Sequence, residues 1–327
     1  MNPSSIPSRS GSPDVSVLLT SWNGRDLTRD AIQSVREKTT DVSYEIIVVD
    51  DGSTDGTADM VRKEFPDVML VVSQENAGFV RANNLGARHA RGRHLLLLNN
   101  DTIFVNNAIA ILSRYLDDHP DVGACGGLLL NRDMTAQVSY GNEPSLGQAV
   151  VDLFFLNELF PRAGFPKRGT IPLLPCAGPI DVDYITGADL LIRRSIVDEI
   201  GLFDELFREY CEETDLCRRV RAVARRRVVF VPEAQIIHLG GMTYGMLGKG
   251  QIRKQYLSYA KFLKKYHGSF YSFCTRLLYA CHYFVKMIVR FAGAFLARGP
   301  AAAQKRLNAQ KAWYAVRYSL APRSDPS

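Results

Sequence analysis

The chain has 327 residues, of which 46% are hydrophobic and 23% charged, values that suit one large globular domain or two smaller ones with a sizeable buried core. They exclude a disordered tail protein, a collagen-like fibre and a disulfide-stapled miniprotein. The net charge of +6 is unevenly spread, because residues 1–250 carry 26 Lys/Arg against 33 Asp/Glu whereas residues 251–327 carry 14 Lys/Arg and one acid, Asp325.

The first 13 residues are rich in Ser and Pro and contain no apolar run. They are expected to form a disordered leader and not a signal peptide, which leaves the body in the cytoplasm. Residues 15–20 (VSVLLT) then read as a buried strand, followed by a helix near 26–38. Residues 44–50 (YEIIVVD) form a second strand with a helix near 55–64, and a third strand near 68–73 precedes a helix at 79–90. Residues 94–99 (HLLLLN) are a fourth strand. Continuous apolar runs separated by helical crossovers are what a parallel sheet covered on both faces requires. The expected fold class is therefore α/β, a doubly wound unit that binds ligands beyond the carboxyl ends of its strands.

Polar clusters fall at that edge: Thr20-Ser21-Trp22-Asn23 after the first strand, Asp50-Asp51-Gly52-Ser53 after the second, and Asn99-Asn100-Asp101 after the fourth. Such residues also make turns and helix caps. Three clusters at one edge of one sheet nevertheless point to a site. Neither GxGxxG after the first strand nor GxxxxGK[ST] anywhere is present, which disfavours a nicotinamide enzyme and a P-loop ATPase. Residues 131–180 are rich in Gly and Pro and read as an irregular region over the site, either selecting a second substrate or inserted without direct contacts.

Structure is expected to return at 181–195, a strand passing through Gly187 into a helix, and at 227–232 before the QIIHLGGMTYG run of 235–245. Between them a helix begins near Glu212. At about 100° per residue, Glu213 shares a face with Leu216, Cys217 and Val220, while Glu212 and Asp215 lie to one side. A helix dipole accounts for acids in a first turn, but a carboxylate on the apolar face suits a general base, since partial burial raises its pKa. The six cysteines form no CxxC pair and fit buried thiols in a reducing compartment.

Residues 270–296 are apolar enough to suggest a membrane span but contain Arg276, His282, Lys286 and Arg290, within an arc of about 120° opposite Phe273, Leu277, Phe284, Ile288, Phe291 and Phe295. Charges near a bilayer centre cost several kcal/mol each, so an interfacial helix on an anionic membrane surface is expected. Packing on the body or on a partner subunit is the alternative. Nucleic acid is not expected as a partner, because no recognised binding module accompanies the basic residues.

VSVLLTSWNG, EIIVVDDGSTDGT, ENAGFVRANNLG, LLLLNNDT, ITGADLLIRR, GLFDELFREYCEETDLCRR and HLGGMT resemble, in order and spacing, the family 2 glycosyltransferases. The bacterial branch that includes rhamnosyltransferases of polysaccharide assembly is the most similar. The resemblance covers about residues 14–245. It implies a mixed, mostly parallel sheet of the A-type glycosyltransferase fold, with a catalytic domain over 14–250 and a basic amphipathic helical extension over 251–327.

By that resemblance Thr20, Trp22, Asn23, Asp50 and Asp51 lie at the nucleoside of a nucleotide-diphospho-sugar, with Asn76 and Gly78 lining the same pocket. Asn99, Asn100 and Asp101 stand where the family has its Asp-X-Asp-type motif. Asp101 and His238 are implied to hold a divalent metal, Mn²⁺ or Mg²⁺, and Gly187, Ala188 and Asp189 to face sugar or acceptor. The family usually has Glu-Asp-X-Asp where this chain has Glu212-Glu213-Thr214-Asp215. Glu213 is thus the implied base in place of an Asp, with Glu212 a substitute. The implied activity is an inverting sugar transfer, rhamnose among the candidate sugars, to a lipid-linked or polysaccharide acceptor. A catalytically silent nucleotide-sugar-binding or scaffold protein is the alternative.

Overall fold

The computed structural model describes residues 11–165, 169–171, 178–240, 249–296 and 298–320. Most of the expected leader, Cys176 and the Gly241–Thr243 end of the late His block lie outside the described residues. In chain order the elements begin β1 (Val15–Ser21), α1 (Arg25–Lys38), β2 (Tyr44–Asp51), α2 (Thr57–Glu64), β3 (Met69–Ser73), α3 (Phe79–Ala87) and β4 (His94–Asn99). Next come β5 (Thr102–Phe104), α4 (Ala108–Asp118), β6 (Val122–Leu130), β7 (Tyr140–Gly141), α5 (Leu146–Leu153) and α6 (Leu156–Leu159). After these follow β8 (Ile180–Asp181), β9 (Tyr184–Ile185), β10 (Asp189–Arg193), α7 (Arg194–Ile200), α8 (Glu212–Ala222) and β11 (Arg227–His238). The C-terminal part holds α9 (Lys249–Leu296) and α10 (Pro300–Leu320).

The large sheet runs β3-β2-β1-β4-β10-β6-β11-β5, with β8 also paired to β11. β1, β2, β3 and β4 are mutually parallel, as are β6 and β11, while β10 runs against β4 and β6. The apolar runs are continuous because successive side chains enter opposite cores. Val17, Leu19, Leu96 and Leu98 pack with Ile32, Val61 and Leu112 of α1, α2 and α4. Their neighbours Leu18, Leu95 and Leu97 pack with Val80, Ile196 and Leu216 of α3, α7 and α8.

This topology brings distant segments to one edge. β4 ends there at Asn99; β10, running the other way, starts there, and Asn99 N donates to Ala188 O at 3.1 Å. β11 ends there at His238, register partner of Thr102 at the start of antiparallel β5.

The chain divides into two compact units: residues 1–141, 169–208 and 212–242, and residues 142–168, 209–211 and 243–327. The stretch 131–180 therefore contains β7 and the helices α5 and α6 where the sequence reads as irregular. These elements are too short to give a periodic pattern, and two of the glycines, Gly141 and Gly147, fall inside β7 and α5.

In the second unit α9 is interrupted at Gly268, whose φ of 84° lies in the left-handed region that only glycine adopts freely. The helix then pairs antiparallel with α10: Arg276 donates to Ser319 O and Leu320 O, both at 2.7 Å, and Arg290 to Asn308 O at 3.1 Å. Lys286 lies over the ring of Phe155, and the His282 ring lies 5.0 Å from the same ring, tilted against it. Burial, and then the charge of Lys286, push the His282 imidazole down to about 4. The basic arc expected to meet lipid thus faces inward, because each member finds a carbonyl or aromatic partner there. The opposite arc, Phe273 to Phe295, is exposed. No helix among the described residues is long and apolar enough to cross a membrane.

Candidate active site

Asp50 and Asp51 end β2 and are both buried. Asp51 accepts from two consecutive main-chain N–H groups, those of Ala77 at 2.9 Å and Gly78 at 2.8 Å. It thereby holds the loop carrying Asn76 against the β2 end. Gly52 permits this approach: its φ is 74°, and a Cβ there would fall 2.8 Å from the Glu75 carbonyl carbon. Asp50 accepts from Ser53 N. Asn23, also left-handed at φ 50°, accepts from Thr54 N at 2.8 Å, and its own N–H donates to Ser53 Oγ. Trp22 is 58% exposed beside them, and Thr20 reaches the Asn83 amide. The first two polar clusters form one connected wall.

The third cluster divides. Asn100 donates to Ser21 Oγ and Thr28 Oγ1, both at 3.2 Å, and so braces the junction of β1 and α1. Asp101 points the other way, with Oδ1 3.3 Å from His238 Nε2. The Asn99 side-chain amide is 3.4 Å from the same nitrogen. Burial would raise the Asp101 carboxyl, but the His238 hydrogen bond and charge, with main-chain bonds from Asp101 itself and Gly240, bring it below its ordinary value.

Gly240 leaves room beside both groups. A Cβ there would fall 2.1 Å from Asp101 Oδ2 and 3.6 Å from His238 Nε2. An ionised carboxylate and an imidazole converging on space reserved by a glycine form a donor set that fits a divalent cation taking mixed oxygen and nitrogen ligands. No group of three or more His, Cys, Asp or Glu suited to a metal occurs among the described residues.

Sequence reasoning missed Gln137. It is buried and its amide grips His238 twice, Nε2 donating to His238 O at 2.6 Å and Oε1 lying 3.2 Å from His238 Nδ1. A lone glutamine in a stretch that reads as irregular carries no sequence signal.

Glu213 sits in the first turn of α8, after two consecutive left-handed residues, Tyr210 and Cys211. Its Cβ lies 3.8 Å from the point where a side chain on Gly187 would begin. Gly187 is followed by Ala188, which binds the Asn99 main chain, so Glu213 stands near the Asp101–His238 end of the sheet. Desolvation pushes its carboxyl up to about 7, although its own main-chain N–H and Thr214 act in the opposite sense. Glu212 is buried beside it.

Asp215 has another job. It is fully buried, more so than Glu213, and pairs at 2.8 Å with Arg219, whose guanidinium also donates to the Ile200 and Gly201 carbonyls at the end of α7. Asp189, expected to face sugar or acceptor, is likewise turned into the sheet. Its Oδ2 accepts from Gly127 N at 2.6 Å, and complete burial holds its carboxyl well above the usual range.

Residues 16–201 match the family model for glycosyl transferase family 2. The chain belongs to that family. This family 2 member is 29% identical over 208 residues to an N-acetylglucosaminyl-diphospho-decaprenol L-rhamnosyltransferase of Mycobacterium tuberculosis, a match covering 59% of this chain and 66% of that protein. It is also 29% identical over 209 residues to an uncharacterized glycosyltransferase of Rickettsia prowazekii, covering 63% of this chain and 58% of the relative. Neither relative is matched along its whole length. Among solved structures it resembles the mannosyltransferase PcManGT of Pyrobaculum calidifontis, determined with GDP-Man and Mn²⁺, at a TM-score of 0.57 and 16% identity over 96% of this chain and 89% of that one. That likeness establishes the A-type fold, a mixed, mostly parallel sheet flanked by helices and followed by a helical C-terminal part.

Proposed function

We propose that this family 2 member transfers a sugar, with inversion, from a nucleotide-diphospho-sugar to a hydroxyl of a lipid-linked or polysaccharide acceptor in cell-surface glycan assembly. The observation that carries this reading is Glu213, a carboxyl group raised to about 7, near the sheet edge where Asp101 and His238 meet at 3.3 Å. A base of that pKa is about half ionised at neutral pH and, when ionised, basic enough to take a proton. The name of the mycobacterial relative supports rhamnose as donor sugar and a lipid-diphosphate-linked acceptor.

In the proposed step Glu213 accepts the proton of the acceptor hydroxyl. The freed oxygen electron pair forms the new bond to the anomeric carbon from the face opposite the diphosphate. The old carbon–oxygen bond breaks, and its electron pair leaves with the nucleoside diphosphate. Asp101 and His238 would hold a divalent cation, Mn²⁺ or Mg²⁺, which when bound supplies Lewis-acid stabilisation of diphosphate charge. Thr20, Trp22, Asn23, Asp50, Asp51, Asn76 and Gly78 form the proposed nucleoside wall. Asp51 and Asn23 act there by fixing loops, as their hydrogen bonds indicate. Asn99, Gly187 and Ala188 lie between wall and base.

The second unit is proposed to rest peripherally on the anionic inner face of the cell membrane. Supporting this are the exposed arc of α9, exposed cations at both ends of it (Lys264, Lys265, Arg298, Lys305 and Arg306), and the lack of any acid in 251–320.

The test is sugar transfer by the purified full chain, using UDP-, GDP- and dTDP-sugars with Mn²⁺ or Mg²⁺ and a polyprenyl-diphospho-sugar acceptor. Metal-dependent product that disappears in Glu213→Gln and Asp101→Ala bears the reading out. Donor binding without turnover under every condition overturns it in favour of a silent nucleotide-sugar-binding protein.

A further inference from the structure

We propose that Gln137 is a positioning residue that keeps the proton of His238 on Nδ1 and so turns Nε2 toward Asp101 as the ligating nitrogen. The argument begins with the orientation of the Gln137 amide. One end of it is surrounded by three acceptors: His238 O at 2.6 Å, Asn131 Oδ1 at 2.8 Å and Leu130 O at 3.3 Å. Only an NH₂ group suits that end. The other end is therefore Oε1, an acceptor with no hydrogen to give, and it lies 3.2 Å from His238 Nδ1. A nitrogen facing an acceptor in that position carries a hydrogen. Nδ1–H is thus fixed by groups that cannot titrate, three of them anchored in backbone or amide.

Nε2 is left facing Asp101 Oδ1 and the Asn99 amide. Asp101 competes by favouring a proton on Nε2, whereas the Asn99 amide nitrogen, an N–H donor 3.4 Å from Nε2, and Gln137 Oε1, an acceptor 3.2 Å from Nδ1, together favour the neutral imidazole protonated on Nδ1. The ring is also fixed in space, because Gln137 binds both its Nδ1 and the main-chain carbonyl of the same residue, which ends β11. Outer partners of metal-bound imidazoles set tautomer and orientation in this way, and their loss typically costs about 10- to 100-fold in metal affinity. This inference rests on the metal reading above only for its consequence. The tautomer itself is a property of the protein alone.

The experiment is ¹⁵N NMR of the histidine ring nitrogens in the full-length protein, with His238 assigned by its loss in His238→Asn. It is run as a pH series and read where the ring resonances themselves show a neutral imidazole. The expected result is protonated Nδ1 in the wild type, retained in Gln137→Glu, whose carboxylate still accepts, and lost to a mixed or Nε2–H population in Gln137→Leu. Gln137→Glu should nevertheless melt lower than wild type, because it places oxygen against three acceptors. Tautomer and stability therefore separate, as they would not for a merely structural residue.

Wild-type Nε2–H, or an unchanged tautomer in Gln137→Leu, overturns the proposal. Substoichiometric Mn²⁺ added with a nucleoside diphosphate should broaden Nε2 before Nδ1, with about 10- to 100-fold weaker apparent affinity in Gln137→Leu. Absence of broadening with Nδ1–H intact refutes the metal reading and leaves the tautomer assignment supported.

Discussion

Asp215 and Arg219, one turn apart on α8, form an ion pair at 2.8 Å in which the carboxylate is completely buried. The arginine extends that pair to the end of α7 through carbonyl hydrogen bonds. Asp215 thus anchors the helix that presents Glu213, and the two acids act in different ways. Asp215→Ala removes the carboxylate partner of a half-buried guanidinium that keeps its carbonyl bonds, and is expected to cost about 1.5–3 kcal/mol, read as a fall in the denaturation midpoint. Donor binding per folded molecule should persist at low temperature.

Glu213→Gln should do the opposite. Transfer is expected to fall by about 10²–10⁴, the usual worth of a positioned base. In the wild type kcat/KM should rise with pH through about 7 as the carboxyl ionises, and the variant should lose this dependence. The fold favours the neutral form of Glu213, so the stability it contributes is full below the ordinary value of 4.5 and is lost as pH rises toward 7. Glu213→Gln should therefore melt higher than wild type at pH 8, by up to about 3 kcal/mol, and almost equally at pH 4. Calorimetry at the two pH values checks both.

Gly240→Ala tests the space beside Asp101 without removing a donor. The added methyl would meet Asp101 Oδ2 at 2.1 Å and must displace the carboxylate. Metal-dependent transfer is expected to fall at least about tenfold, the low end of disturbing a metal site, with donor binding in the absence of metal little changed. Titration of activity with Mn²⁺ gives the answer.

Asp189 should behave as a neutral acid inside the sheet. Its raised pKa means that its contribution is full in acid and declines as pH rises. Asp189→Asn keeps an acceptor for Gly127 N and removes that penalty, so it should stabilise the protein at pH 8. Asp189→Ala leaves the Gly127 N–H unsatisfied and should cost about 1–3 kcal/mol. Denaturant titration of the two variants separates these effects.

For the second unit, vesicle flotation of the full chain should depend on the outward arc. Replacing Phe273 and Phe291 by Ser together should release the protein from anionic vesicles, whereas Lys264→Ala with Lys265→Ala should weaken binding at low salt and make it less salt-sensitive. Equal flotation of wild type and the Phe variant would exclude the arc as the lipid contact.

Much of this was legible in the sequence. Strands β1, β2 and β4 announce themselves because both of their faces are buried, so apolar residues run without a break through residues such as Leu95 to Leu98. The carboxyl-edge clusters follow directly, since a parallel strand order puts its strand ends together. Shorter elements were not legible: β5, β7, β8 and β9 have two or three residues each, too few for any period to register. Asn100 and Asp101 are adjacent and similar in type, and nothing local told that one braces α1 while the other meets His238.

What the sequence determined by itself was which residues are apolar at which spacing, and from that the layered α/β architecture, the family and the carboxylates available for chemistry. Only the tertiary structure decided which of them meet. Asp101 finds His238 because β11 lies antiparallel to β5, a pairing between segments more than a hundred residues apart. Arg276 and Arg290 of α9 turn inward because α10 offers them carbonyls there. Periodicity fixes the faces of an element, since it arises from the local backbone; the partner of each face depends on long-range packing that no local pattern encodes.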